Sequence, residues 1–248
     1  MVSLALAEPN EGKPLIIGSE LNYPPFDMID AQGNPIGIDV DIAHALGEFL
    51  HRPVTIQNMP FTGLIPALKT GRIDLIISSM TDTEERRKSI DFSDSYLSTG
   101  LAILLPKNSS VKTVADLNHA GTTITVKIGT TSYIYAHQFL TSAEILALNQ
   151  DTSAALEVVQ GKADAFIYDQ MSIYQFHKLH PEATTALLDP FKKEVWAMGL
   201  QKGNETLKRE VNAFLADFKA KKGFDALGDK YLKEDKEAFK KMGFPFYF

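Results

Sequence analysis

The sequence contains no cysteine. That excludes disulfides, thiolate nucleophiles, iron–sulfur clusters and cysteine-ligated zinc. It says little about redox compartment, since a chain without thiols is safe in either. No apolar run reaches the roughly 18 residues that a bilayer-spanning helix needs, so no stable insertion into a membrane is expected. An excess of positive charge is also lacking: 31 acidic against 25 basic residues leave a formal charge of −6. This weighs against non-specific binding to nucleic acid or anionic membrane, although a local basic patch is compatible with it.

The motifs of catalysis are missing too. No Gly-x-Ser-x-Gly elbow, phosphate-cradling glycine loop or dinucleotide fingerprint occurs. The six histidines, His44, His51, His119, His137, His177 and His180, include no pair at metal-motif spacing. No metal, cofactor or catalytic residue is expected.

What is present is a globular chain of 248 residues, 44% apolar and 23% charged. That is enough for one large or two modest domains. Ala5-Leu6-Ala7 before Glu8-Pro9 resembles the small-x-small tail of a secretory cleavage site, which reads as an exported, mature protein; a merely frayed terminus is the alternative.

Strand-like and helix-like segments alternate throughout, which predicts an α/β fold. Leu15–Gly18, Val54–Ile56 and Ile73–Ile77 read as strands, with helical stripes from Asp39 and over Leu64–Leu68. After Pro106-Lys107-Asn108 a second α/β body begins. Its expected elements are Val114–Leu117, a strand Thr123–Ile128, a helix after Gly129-Thr130-Thr131-Ser132, a helix Thr152–Val159 and a strand Ala163–Tyr168. Val195–Leu200 is a late strand, and Leu207, Val211, Phe214, Leu215 and Phe218 mark a C-terminal helix. The last residues, Gly243 to Phe248, are too apolar to dangle and are expected to lie on the body; a partner contact is the alternative.

One plan occurs twice. Gly71-Arg72-Ile73-Asp74 and Gly161-Lys162-Ala163-Asp164 each follow a helix and open a hydrophobic strand that ends in polar residues. Two similarly built bodies explain the echo economically, as open parallel sheets bind ligands beyond the carboxyl ends of their strands; coincidence of two helix–turn–strand units remains the other reading.

The polar groups at those strand ends suit binding better than catalysis. Arg86 follows Ser79 and Thr81 closely, offering a planar fork for a carboxylate beside hydroxyls and amides; an ordinary surface arginine next to Arg87 is the alternative. Asp169 ends the second body's strand and suits an ammonium, or merely caps a helix. Thr131 and Ser132 open a helix, where spare N–H groups attract a carboxylate. A zwitterionic α-amino acid carries both charges on one carbon and would bridge the two bodies. Contacts made only on closure would shift the open–closed population.

These residues resemble the polar-amino-acid class (family 3) of bacterial solute-binding proteins, the extracytoplasmic receptors of ABC importers. The similarity runs from about Leu15 to Tyr231. It is carried by Tyr23-Pro24-Pro25-Phe26, Gly37-Ile38-Asp39-Val40-Asp41-Ile42-Ala43, Phe61 to Leu68, Ser79-Met80-Thr81 through Arg86 to Asp91-Phe92-Ser93, Gly129-Thr130-Thr131, and Gly161 to Asp169. The resemblance implies a two-lobed periplasmic binding protein fold of type II, with a cleft between lobes joined by two crossing strands near Ser98–Leu101 and Val195–Gly199. Lobe one would comprise residues 1–99 and 198–248, and lobe two residues 100–197. It further implies a monomeric periplasmic receptor whose partners are a free L-amino acid and the membrane subunits of an ABC transporter.

By that resemblance Arg86 would clamp the ligand α-carboxylate with Thr81 and the Thr131 amide. Asp169 would take the α-ammonium, with Ser79 beside it. Tyr23 and Phe61 would sandwich the aliphatic part, and Phe26, Met80 and Ser132 belong to the same segments. Glu20 falls where many relatives present an acid to the ligand side chain, and Lys127 precedes the Gly129 loop. A cationic side chain would suit Glu20 but be repelled by Lys127, whereas a glutamine amide offers both a donor and an acceptor. Against glutamine, Tyr168 lies where glutamine-specific relatives often differ, and pairing of Glu20 with Lys127 is the alternative arrangement. Glutamine or another polar neutral amino acid ranks first, then arginine, lysine or histidine, then an aromatic or sulfur amino acid. A cyclohexadienyl-dehydratase-like enzyme and a sensor domain on the same scaffold remain as alternatives.

Overall fold

A computed structural model describes residues 12–244; the Ala5-Leu6-Ala7 tail and the last four residues lie outside the described residues. In chain order the first elements are β1 (Leu15–Ser19), β2 (Met28–Ile29), β3 (Pro35–Ile36), α1 (Ile38–Phe49), β4 (Val54–Asn58), α2 (Phe61–Lys69), β5 (Leu75–Ile76), α3 (Glu84–Arg87) and β6 (Asp91–Pro106). They continue with β7 (Thr123–Lys127), α4 (Thr131–Phe139), β8 (Glu144–Leu148), α5 (Asp151–Val159), β9 (Ala165–Asp169), α6 (Gln170–Leu179) and β10 (Thr184–Leu200). Three helices close the chain: α7 (Glu205–Ala220), α8 (Gly223–Tyr231) and α9 (Lys233–Met242).

The fold is α/β and divides into two compact units. The first holds the described residues up to Asp94 together with Ala197–Lys233, and the second holds Ser95–Trp196 and the described residues 234–244. Two long strands, β6 and β10, each contribute residues to both units, which divide along the chain between Asp94 and Ser95 and between Trp196 and Ala197. Residues 234–244, expected in lobe one, fall in the second unit. The reason is packing: Phe239 of α9 is fully buried and meets Tyr174 of α6 edge-on at 5.1 Å. Buried Asp235 pairs with Lys178 at 3.3 Å. Sequence periodicity identifies the helix but not the surface that receives it.

Each unit is built on the same β-α-β-α-β plan. In the first, β1 lies between β4 and β5, parallel to both, and β10 runs antiparallel to β5 with Gly199 opposite Ile76. In the second, β7 lies between β8 and β9, parallel to both, and β6 runs antiparallel to β9. Leu101, Ile103 and Leu105 pack into one core layer, and Ala102 and Leu104 into the other. A sheet buried on both faces explains why that run is continuously apolar and does not alternate.

The repeated Gly-basic-apolar-Asp plan is structural in both units. Gly71 and Gly161 sit at φ 72° and 69°, the left-handed conformation that ends a helix with little strain only at glycine. The Asp74 amide donates to the Ile16 carbonyl at 2.7 Å and its carboxylate accepts the Ile16 amide at 2.9 Å. Asp164 makes the same two bonds with Thr123, both at 2.8 Å.

Other differences are local. The expected strand Ile73–Ile77 pairs only over Leu75–Ile76, because the Asp74 carboxylate takes one of the central strand's amides. Val114–Leu117 forms a single 3-10 turn capped by Thr113 and Asp116. β8 and α6 carry no distinctive sequence signal; a short run such as Glu144–Leu148 fits either a strand or a helix.

Candidate functional site

In the first unit eight of the sequence-selected residues gather around the carboxyl ends of β1 and β5. Glu20 follows β1, and its amide donates to Ser78 Oγ at 3.0 Å. The Ser78 hydroxyl in turn donates to Asp27 Oδ2 at 2.7 Å, and Ser19 Oγ donates to the same oxygen at 2.9 Å. Asp27, fully buried, therefore ties the ends of β1 and β5 together. Tyr23 and Phe26 flank the Pro24-Pro25 loop and stack on one another, with ring centroids 5.2 Å apart.

Ser79 sits at φ 47°, a left-handed backbone that costs a non-glycine residue about 1–2 kcal/mol. Buried Asp39 holds it there: its Oδ2 accepts both the Ser79 amide at 2.6 Å and the Ser79 hydroxyl at 2.9 Å. Met80 follows with its side chain in the unit's core beside Ile76, Ile90 and Phe92. Its carbonyl accepts the Ala197 amide at 3.1 Å. Met80 thus belongs to the site by its place in the chain, while its side chain serves packing.

Arg86 is 7% exposed, so the reading of it as an ordinary surface residue does not hold. Thr83 caps the short helix α3 by accepting the Arg86 amide. The Arg86 guanidinium donates to the Thr81 carbonyl at 2.6 Å and lies 5.5 Å from the centre of the Phe61 ring. Desolvated stacking of this kind orients a guanidinium and leaves its planar fork directional. Arg87, beside it, is bound to Asp82 on the exposed side of the helix.

In the second unit Lys127, Thr131, Ser132 and Asp169 stand at the carboxyl ends of β7 and β9. Lys127 closes β7 and is 1% exposed. Its carbonyl accepts the Thr130 hydroxyl at 2.7 Å. Thr130 caps α4 by accepting the Tyr133 amide and exchanges a hydrogen bond with Ser132 Oγ at 2.8 Å, so the Ser132 hydroxyl is directed into the cap. Thr131 donates its hydroxyl to Glu194 Oε2 at 2.8 Å, and Glu194 Oε1 lies 3.1 Å from Lys192 Nζ. Asp169 closes β9 and caps α6 through Oδ1, which accepts the Ser172 amide at 3.1 Å. The helix-cap role suggested by sequence is therefore real.

Sequence reasoning missed Asp27, Asp39 and Glu194. A signal existed for Asp39: it falls on the same helical stripe as Ile42, Ala43 and Leu46, so periodicity alone buries it. Asp27 and Glu194 have no such signal, since the Ser78 and Thr131 hydroxyls they accept lie 51 and 63 residues away along the chain. Among the described residues, no group of three or more acidic or histidine side chains is arranged to hold a metal ion. No helix among them is long and apolar enough to cross a membrane.

The chain matches the sequence profile of the bacterial extracellular solute-binding proteins, family 3, over residues 15–234, and it belongs to that family. It is 33% identical over 233 residues to the L-arginine-binding protein of Pseudomonas aeruginosa, covering 90% of this chain and 89% of that protein. It is 28% identical over 236 residues to the ABC transporter glutamine-binding protein of Bacillus subtilis, covering 93% and 85%. Among solved structures, an ancestral amino acid-binding protein described as a precursor of cyclohexadienyl dehydratase superposes with a TM-score of 0.81 at 34% identity, covering 88% and 95% of the two chains. The family is one of solute-binding proteins rather than enzymes.

Proposed function

We propose that this protein is the receptor of an ABC amino-acid importer, working outside the cytoplasm as a monomer and delivering a free L-amino acid to the transporter's membrane subunits. The observation that carries the reading is Arg86: a buried guanidinium, oriented by the Thr81 carbonyl and the Phe61 ring, is the partner that a single α-carboxylate requires. Thr81 and the Thr131 amide would complete the carboxylate's shell. Asp169 would take the α-ammonium, with Ser79 beside it. Tyr23 and Phe61 would pack against the ligand's aliphatic part. The assignment of residues 1–99 and 198–248 to one lobe and 100–197 to the other belongs to the same proposal, and ligand contacts would favour whichever form makes them.

For the ligand side chain, glutamine or another polar neutral amino acid remains the first choice. Lys127 is a buried cation at the end of β7, and it disfavours a second cation. A basic amino acid is the second reading, supported by the one-third identity to a protein named for L-arginine. Catalytic turnover is not part of the proposal.

Calorimetric titration with the twenty L-amino acids tests it, after unfolding, dialysis and refolding to strip any ligand that travels with the protein. One binder saturating at one per chain supports the receptor reading and chooses between glutamine and arginine. Silence across the panel, or dehydration of prephenate by the protein, would overturn it.

A further inference from the structure

Ser79 owes its conformation to one buried carboxylate. At φ 47° a serine does not rest unaided. The Asp39 Oδ2 atom takes its amide and its hydroxyl together, at 2.6 and 2.9 Å. Asp39 is 1% exposed and is itself fixed, because its amide donates to the Phe26 carbonyl at 2.8 Å. The preceding Gly37, at φ 124°, lies so close to Phe26 that a Cβ there would collide with the Phe26 carbonyl oxygen. The carboxylate therefore reaches Ser79 from a rigid base.

This has a chemical consequence. A serine hydroxyl carries one proton, and Asp39 receives it; the same carboxylate also receives the Ser79 N–H. Ser79 is left with acceptors only, the lone pairs of its carbonyl and its Oγ. Two residues on, the Thr81 carbonyl is occupied by the guanidinium of Arg86. The segment is thus sorted by polarity, with acceptors at Ser79 and a cationic donor beyond Thr81.

We infer that Asp39 is the positioning residue of this half-site. It does not touch the ligand; it holds Ser79 in the left-handed conformation and strips it of donors, so that Ser79 faces an ammonium and rejects a carboxylate. The inference rests on the amino-acid-receptor reading and deepens it, since it accounts for selection of the α-amino group within the first unit.

The test is calorimetry with L-glutamine and L-arginine, each paired with its des-amino analogue, on the wild type, D39N, S79G and the D39N/S79G double variant. Asn puts a neutral, weaker acceptor oxygen where the charged carboxylate took both Ser79 bonds, so D39N should weaken the amino acid by about 10- to 100-fold and its des-amino analogue far less. Glycine takes the left-handed conformation without a Cβ penalty, so S79G should restore most of the affinity that D39N loses. A merely structural aspartate would lower both ligands equally and show no rescue, and that result overturns the inference, as does unchanged affinity in D39N. If D39N does not fold, S79V in the otherwise native chain replaces it. A β-branched residue does not hold φ 47°, so the same selective loss is expected, and retained affinity would overturn the inference. A wild type that binds none of the twenty L-amino acids removes the receptor reading itself, an outcome distinct from the others.

Discussion

Asp74 closes a two-bond ring with Ile16, accepting its amide at 2.9 Å and donating to its carbonyl at 2.7 Å. Asp164 and Thr123 repeat the arrangement in the second unit. In each case the aspartate extends a parallel strand by one residue, using its side chain where the backbone of the short strand ends. Asp74→Asn and Asp164→Asn should each lower unfolding free energy by about 1–2 kcal/mol, read as a shift in denaturant midpoint, and leave ligand affinity unchanged. Weakened binding at unaltered stability would mean that the echo belongs to the site.

Arg86→Ala should reduce amino-acid affinity at least about 100-fold, because a charge-assisted pair is lost from a buried position. The protein should remain folded by circular dichroism. Arg86→Lys should recover only part, since an ammonium lacks the planar fork. Affinity retained in Arg86→Ala would remove this residue from the carboxylate clamp.

Asp169 has two duties that one substitution separates. Asp169→Asn keeps a side-chain oxygen for the Ser172 amide, so the α6 cap should survive with a stability change within about 1 kcal/mol. The charge is lost, so ligands bearing an α-ammonium should weaken far more than their des-amino analogues. Equal weakening of both would assign Asp169 to the cap alone.

Lys127→Ala should weaken glutamine-like ligands and relieve the repulsion against basic ones, so the ratio of their affinities should move toward arginine. Titration of both ligands reads it. An unmoved ratio would place the Lys127 charge outside ligand selection.

His177 predicts a pH dependence of the second unit. Burial, followed by the nearby Lys107 charge, holds its pKa below the ordinary 6.5. The Thr184 hydroxyl lies 3.0 Å from Nδ1 and donates to the His180 carbonyl at 2.7 Å, so it accepts the Nδ1 proton of a neutral ring. Between the folded and the unfolded pKa the unfolded chain binds more protons, and stability rises with pH. The contribution is complete above about 6.5 and is lost as pH falls through the lower, folded value. His177→Gln should flatten the slope of melting temperature against pH below 6.5; an unchanged slope would assign the dependence to other groups.

Much of this protein is legible in one dimension. Alternating apolar periods define the α/β class, and Gly71 and Gly161 mark two helix ends because only glycine takes that conformation freely. The ordered motifs from Tyr23 to Asp169 indicate the family, and Arg86 and Asp169 stand out because their chemistry follows strand ends. These are local properties, set by the backbone and by nearest neighbours along the chain. What required the tertiary structure is pairing across long sequence separations. Asp39 becomes the holder of Ser79 only when α1 and the end of β5, 40 residues apart, converge. Glu194 takes the Thr131 hydroxyl only when β10 runs beside α4. Residues 234–244 join the second unit because Phe239 finds Tyr174, a choice between two apolar surfaces that helical periodicity cannot distinguish. Sequence determined which groups the protein has to offer; packing at a distance decided which of them are held, which are sorted into donors and acceptors, and which are spent on the fold itself.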